Sequence, residues 1–201
     1  MTHKTMTSPR DGGTPPLAAL LSELQRTAAA ISIDLTSRKI RHFISGSLAL
    51  AMHARPRMTY DIDLVVSVPS IRLPEVFAVA RAHGFTGDDR QLITDIRAKS
   101  FAQLRAGALT LDVIVPVLPF HMEIFERATC VPMAGTEVPV ATAEDLFVVK
   151  TLWFRPKDVA DLEVLAAIGD RFDRTYVRAK LRELLPLDDP RHAQVERILA
   201  G

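Results

Sequence analysis

The chain has 201 residues, 48% hydrophobic and 24% charged, enough to bury a core and ordinary for a globular protein. Its formal net charge of +1 gives no whole-chain signal for a polyanionic partner, although residues 1–60 hold 8 Lys/Arg against 3 Asp/Glu and the rest is net acidic. A single cysteine, Cys130, excludes an intrachain disulfide framework. With no apolar leader pattern and no run of about 18 apolar residues, a soluble, cytoplasmic protein without a membrane span is expected.

Met1 to Pro16 is rich in Thr, Gly and Pro and is expected to be a disordered tail. Leu17, Leu20, Leu21, Leu24 and Ala28 recur at helical spacing and predict an amphipathic helix from Leu17 to about Ile33. A strand at Phe43–Ser45 runs into Gly46-Ser47, and a helix from Ser47 to about Ala54 stops before Pro56. Asp61 to Val68 is apolar and β-branched around its carboxylates, as a central strand would be. A helix over Pro74–His83 follows, with Gly84 as its cap. Strands are predicted at Lys99–Arg105 and Ala108–Val115 around an Arg-Ala-Gly turn, then a short helix at Pro119–Arg127 and a hairpin over Thr129–Val140 turning near Ala134-Gly135. Thr142-Ala-Glu-Asp145 is a capping-box pattern, and the remainder reads as helices at Ala143–Phe154, Pro156–Ile168, Thr175–Leu185 and Arg191–Leu199. The outline is a tail (1–16), an α/β domain (17–140) and a helical region (141–201).

Alternation along a strand puts Asp61 and Asp63 on one face, with Ile62 and Leu64 on the other. Neighbouring carboxylates repel unless a cation lies between them, and hard divalent ions take such oxygen ligands. Gly46-Ser47 leaves backbone N–H groups bare at a strand-to-helix turn, where phosphate can dock. Asp112 sits alone among Leu109, Leu111, Val113 and Val115 on a core strand, a costly place for an unpartnered carboxylate. Together these residues favour a metal–nucleotide site over two surface aspartates at a strand end.

Other residues carry two readings. Lys150 either adds charge to that site or snorkels along the apolar face of Leu146, Val149 and Trp153. Arg57 is read first as pairing locally with a carboxylate and Thr59 as a β-branched strand residue. Asp158 and Asp161, three apart, suit an ion-pair surface with Arg155 or Lys157; that reading is preferred for Asp161 and open for Asp158. Arg171, Arg174, Arg178 and Arg182 form a stripe that could track an RNA backbone, though a solvated face is the commoner cause. His42, His53 and His121 lack metal-ligand spacing and read as structural, and Cys130 has no nearby His to activate it.

Ile44-Ser45-Gly46-Ser47, a spacer of thirteen residues, then Asp61-Ile62-Asp63-Leu64 resembles the signature of the DNA polymerase β-like nucleotidyltransferase superfamily. Asp112 stands where the third carboxylate of that family would lie. More finely, Arg57-Met-Thr59-Tyr-Asp61-Ile-Asp63-Leu64 is similar to the abortive-infection nucleotidyltransferase toxins. So is Ala143-Glu144-Asp145-Leu146 followed by Lys150, Arg155, Lys157-Asp158 and Asp161. The resemblance implies an α+β nucleotidyltransferase fold, a mixed β-sheet flanked by helices, with a C-terminal helical part. It also implies transfer of a nucleoside monophosphate from an NTP to an RNA (tRNA 3′ end) or protein hydroxyl, by a toxin with a cognate antitoxin. Asp61, Asp63 and Asp112 would then be catalytic carboxylates holding Mg²⁺ or Mn²⁺. Gly46, Ser47, Arg57, Lys150 and Asp158 would bind the substrate. The competing class is a catalytically inactive module of the same fold that binds a partner protein or nucleotide. Carboxylate-driven hydrolysis, a third class, would leave the Gly-Ser turn without a role.

Overall fold

Up to Val140 helices alternate with short strands, and beyond it the described chain is helical. The computed structural model describes residues 16–55 and 57–200, so the expected tail up to residue 15 lies outside the described residues. Among the described residues, nine α-helices flank one six-stranded mixed sheet. No described helix is long and apolar enough to cross a membrane.

Helix α1 (Leu17–Ser37) runs a turn beyond the expected end because Leu35 is still buried. Lys39 then enters the left-handed region, and Ile40 donates its N–H to the Leu35 carbonyl. Strand β1 (Arg41–Ser45) passes directly into α2 (Gly46–His53). Strand β2 (Asp61–Ser67) returns antiparallel beside β1, and α3 (Leu73–Ala82) ends at His83-Gly84.

One helix has no counterpart in the sequence reading. Helix α4 (Asp89–Lys99) buries only Leu92 and Ile96, too few apolar residues to set a helical period. It is defined at its ends instead: the Asp88 carboxylate accepts the Gln91 N–H at 2.9 Å, and Ser100 is left-handed. Strands β3 (Phe101–Ala106) and β4 (Leu109–Ile114) then form a hairpin. Helix α5 (Pro119–Arg127) leads to the hairpin β5 (Thr129–Met133) and β6 (Thr136–Val140). Both Ala134 and Gly135 have positive φ, as a two-residue hairpin turn requires.

The sheet order is β3-β4-β2-β1-β6-β5, with β2 parallel to β4, β1 parallel to β6, and the other neighbours antiparallel. This register sorts the side chains. One face carries Ile44, Ile62, Leu64, Val66, Leu111, Val113, Ala102 and Leu104, all buried. On the opposite face, Ser45, Asp63, Asp112 and Gln103 stand side by side across four strands. One pleat further along, Phe43, Val65, Ile114 and Phe101 form a second line.

The C-terminal helices are α6 (Ala143–Trp153), α7 (Pro156–Ala166), α8 (Arg174–Leu184) and α9 (Arg191–Ala200). Thr142 Oγ1 caps α6 by accepting the Asp145 N–H at 3.2 Å. The Asp145 side chain does not complete the box; it turns inward to accept from Arg127 Nε (3.1 Å) and the Tyr176 hydroxyl (2.7 Å), joining α5, α6 and α8. Arg191 Nη1 donates to the Leu152 carbonyl and ties α9 to the end of α6. Buried apolar residues form one cluster from Leu20 to Leu199.

Candidate active site

Parallel pairing of β2 with β4 sets Asp63 directly opposite Asp112 and places Asp61 opposite Thr110. The carboxylates are thus gathered by strand register from residues about fifty apart in sequence. Burial, then the charges of Asp112 and Asp61, push the Asp63 carboxyl up to about 6; Lys150 and Lys157 offset this only in part. Burial also raises Asp112, opposed by the hydrogen bond it accepts from Gln103 Nε2 at 2.9 Å. None of the three carboxylates is ion-paired among the described residues.

Gly46 starts α2 with φ of +62°, and a Cβ there would overlap the Asp63 carboxylate. Glycine is therefore needed twice, for the left-handed turn and for the close approach of Asp63. Next to it, the Ser47 hydroxyl accepts from Arg57 Nη2. Thr59 is buried, and its Oγ1 accepts the Asp61 N–H at 3.2 Å, bracing the entry to β2.

The sequence reading of the helical residues needs correction in three places. Arg57 pairs with a distant carboxylate rather than a local one: its Nε and Nη2 donate to the Asp161 oxygens at 2.9 and 3.2 Å. Asp161 faces inward rather than forming a surface pair, because Lys150 Nζ also donates to it at 2.7 Å. Lys150 is buried, and its ammonium meets that carboxylate instead of snorkelling to water. Asp158 is fully buried and accepts from the Arg155 N–H (3.0 Å), Nε (2.7 Å) and Nη2 (3.1 Å), which caps α7. Burial would raise both aspartates, but Arg155 outweighs it at Asp158, and Arg57 with Lys150 outweighs it at Asp161, so both are held below the usual carboxylate range.

These groups border a cleft of about 530 Å³. Gly46, Asp63, Asp112, Lys150 and Arg155 line it, whereas Asp61, Ser47, Arg57 and Asp158 stand outside its lining. Its other walls are mostly apolar, with Phe101, Ile114, Val117, Val149 and Trp153 beside a few polar residues such as Lys99 and Ser100. Sequence reasoning missed this wall, and it missed Gln103. Alternation in β3 was the available signal, but only the register reveals that Gln103 faces Asp112. His121 lines the cleft too, its Nδ1 accepting from the Val117 and Leu118 N–H groups, which agrees with a structural role.

The arginine stripe is free only in part: Arg171 and Arg182 are exposed, the other two are engaged. Arg171 lies before α8, Arg174 donates to the Ala166 carbonyl, and Arg178 pairs with Glu196.

Among the described residues, no three His, Cys, Asp or Glu side chains converge into a ready-made metal cage. The donor chemistry nevertheless fits a hard divalent ion: carboxylates at adjacent register positions, mutually repelling and without a cationic partner.

No family model and no curated protein matches the chain. Solved structures do. The solution structure of the antibiotic-resistance factor ANT(2'')-Ia matches at a TM-score of 0.55, with 16% identity, over 89% of this chain and 96% of that one. A crystal structure of ANT(2'')-Ia in complex with adenylyl-2''-tobramycin matches at 0.54, with 17% identity, over 81% and 98%. An antigenic nucleotidyltransferase-like protein from Paracoccidioides brasiliensis matches at 0.49, with 15% identity, over 89% and 92%. At these identities the likeness is one of fold, and the chain has the α+β nucleotidyltransferase fold.

Proposed function

We propose that the chain is a nucleotidyltransferase that moves a nucleoside monophosphate from an NTP to a hydroxyl, releasing pyrophosphate. The observation that carries this reading is the juxtaposition of Asp63 with Asp112 across β2 and β4, beside a glycine that the Asp63 carboxylate itself requires. Asp61, Asp63 and Asp112 would hold Mg²⁺ or Mn²⁺, which when bound would neutralise charge on the phosphates and the leaving group. Gly46 and Ser47 bind the terminal phosphates, with Arg57 fixing the Ser47 hydroxyl and adding charge. Asp112 accepts the proton of the attacking hydroxyl, with Gln103 orienting its carboxylate. Lys150 and Arg155 supply positive charge at the cleft, each held in place by a buried aspartate. Such chemistry asks the protein for positioning and charge compensation more than covalent participation.

The finer reading, a toxin acting on a tRNA 3′ end or a protein hydroxyl and neutralised by an antitoxin, rests on the sequence resemblance. Its RNA form draws little on the arginine stripe, since Arg174 and Arg178 are engaged within the fold and only Arg171 and Arg182 stay exposed. The alternative is a binding module without catalysis. It is favoured by Lys150 and Arg57 both being paired with Asp161.

Incubation with Mg²⁺ and each α-labelled NTP, with and without total tRNA, beside an Asp61→Ala/Asp63→Ala control, separates these readings. Label on an acceptor that vanishes in the control establishes transfer. Nucleotide binding without pyrophosphate release favours the binding module.

A further inference from the structure

The floor of the cleft has two ends. The carboxylate end holds Asp63 and Asp112, and the next line of side chains on the same sheet face is wholly apolar: Phe43, Val65, Ile114 and Phe101. Two residues along a strand separate these lines by about 7 Å. Val117, beyond Ile114 on the way to α5, continues this apolar end, and Val149 and Trp153 of α6 also line the cleft.

Strand polarity fixes which end faces which ligand. Because β1 runs antiparallel to β2 and pairs Ser45 with Asp63, the chain leaving Ser45 heads toward the Asp61 end, where Arg57 meets Ser47. Phosphoryl transfer brings the attacking oxygen in line with the leaving oxygen, from opposite sides of the phosphorus. With pyrophosphate at the Gly46-Ser47 end and the reacting phosphorus over Asp63 and Asp112, the attacking oxygen enters from the apolar end.

We propose that this apolar end seats the acceptor, a small uncharged molecule that carries its hydroxyl on an apolar body. The inference rests on the reading that Gly46, Ser47 and Arg57 hold the terminal phosphates. In the reaction the acceptor oxygen bonds to the α-phosphorus as the bond from that phosphorus to the bridging oxygen breaks. Pyrophosphate leaves with that oxygen, and the hydroxyl proton passes to Asp112.

Charge and size select this class. Apart from Asp63 and Asp112, no carboxylate among the described residues belongs to the lining, so a polycationic acceptor would find few partners along these walls. Each basic lining residue already has a carboxylate partner: Lys99 with Asp95, Lys150 with Asp161, Arg155 with Asp158. An RNA end would set its phosphates against Phe101 and Val117, where the one cation at hand among the described residues is the half-exposed Lys99 over the Phe101 ring. The whole cleft, nucleotide end included, is about 530 Å³, so the apolar end leaves room for a small molecule only.

Trp153, 66% exposed at the cleft, is the only tryptophan of the chain, so its fluorescence reports on occupancy of the cleft. The experiment titrates the full-length protein in Mg²⁺ with three probes: 1-adamantanemethanol, the polycation kanamycin, and a short oligoribonucleotide ending in CCA. Each titration is run with and without the α,β-methylene analogues of the four ribonucleoside triphosphates, whose own binding is measured by calorimetry. The proposal expects the neutral alcohol to shift Trp153 emission to shorter wavelength and to bind alongside an analogue with its Kd unchanged within twofold. Val117→Asp, at a position 57% exposed and so tolerant of substitution, should raise the alcohol Kd at least tenfold and leave the analogue Kd within twofold. Competition between alcohol and analogue would assign the apolar end to the nucleobase and overturn the proposal. A response to kanamycin or the oligoribonucleotide but not to the alcohol would overturn it as well. If no analogue binds while the alcohol still does, the nucleotide reading itself fails and takes the acceptor assignment with it.

Discussion

Two sets of aspartates in this molecule have opposite surroundings. On the sheet, Asp61, Asp63 and Asp112 stand near one another with no cation bonded to them, and Asp63 is driven up to about 6. Among the helices, Asp145, Asp158 and Asp161 are buried, and each accepts from at least one arginine or lysine. The same side chain is therefore a source of repulsion in one region and a clamp in the other. The helical carboxylates have their cations within the chain, whereas on the proposed reading the sheet carboxylates would take theirs from a bound metal.

The largest contrast should come from deletion. Asp63→Ala should lower transfer by about a thousandfold or more while the protein stays folded, read by label transfer beside circular dichroism. A variant that retains full activity would remove the sheet carboxylates from the chemistry. Asp161→Ala should instead cost about 2–4 kcal/mol of stability in urea denaturation, since it leaves the buried Lys150 ammonium with only the Asp158 carboxylate, 3.9 Å away. A loss below about 1 kcal/mol would show that water compensates Lys150 and that the clamp is not structural.

The next effect reverses sign between the regions. Folded Asp63 keeps its proton up to about pH 6, against an ordinary value of 3.8, so the folded chain binds more protons in between and stability falls as pH rises through that window. Asp63→Asn should therefore stabilise the protein by up to about 3 kcal/mol at pH 8, with no gain below about pH 4. Asp158 and Asp161, held low, act the other way: their contribution is present at neutral pH and is lost as pH falls below the usual carboxylate range. Melting curves of wild type and Asp63→Asn across pH 3–8 would separate the two slopes, and parallel curves would contradict the repulsion at Asp63. The smallest change, Tyr176→Phe, removes one hydrogen bond to buried Asp145 and should cost about 1–2 kcal/mol by thermal melting.

Local chemistry wrote most of the elements legibly. Ala134-Gly135 named its hairpin, Thr142 its helix start, and Gly46-Ser47 the passage from β1 to α2, because turns and caps depend on a few adjacent residues. Helix α4 was illegible for the converse reason, having two buried apolar residues and an exposed polar remainder. Alternation alone put Asp61 and Asp63 on one face.

What the sequence by itself determined, then, was which residues could not lie easily in a core strand: Asp61, Asp63 and Asp112, each flanked by apolar neighbours. Only the tertiary structure decided what met them. Parallel pairing of β2 with β4 brought Asp112 to Asp63, and the packing of α6 and α7 brought Lys150 and Arg57 to Asp161 across 11 and 104 residues. The same pairing laid an apolar line beside the carboxylates. Strand register and helix packing are set by burying area summed over the whole core, and no local window of sequence contains that sum.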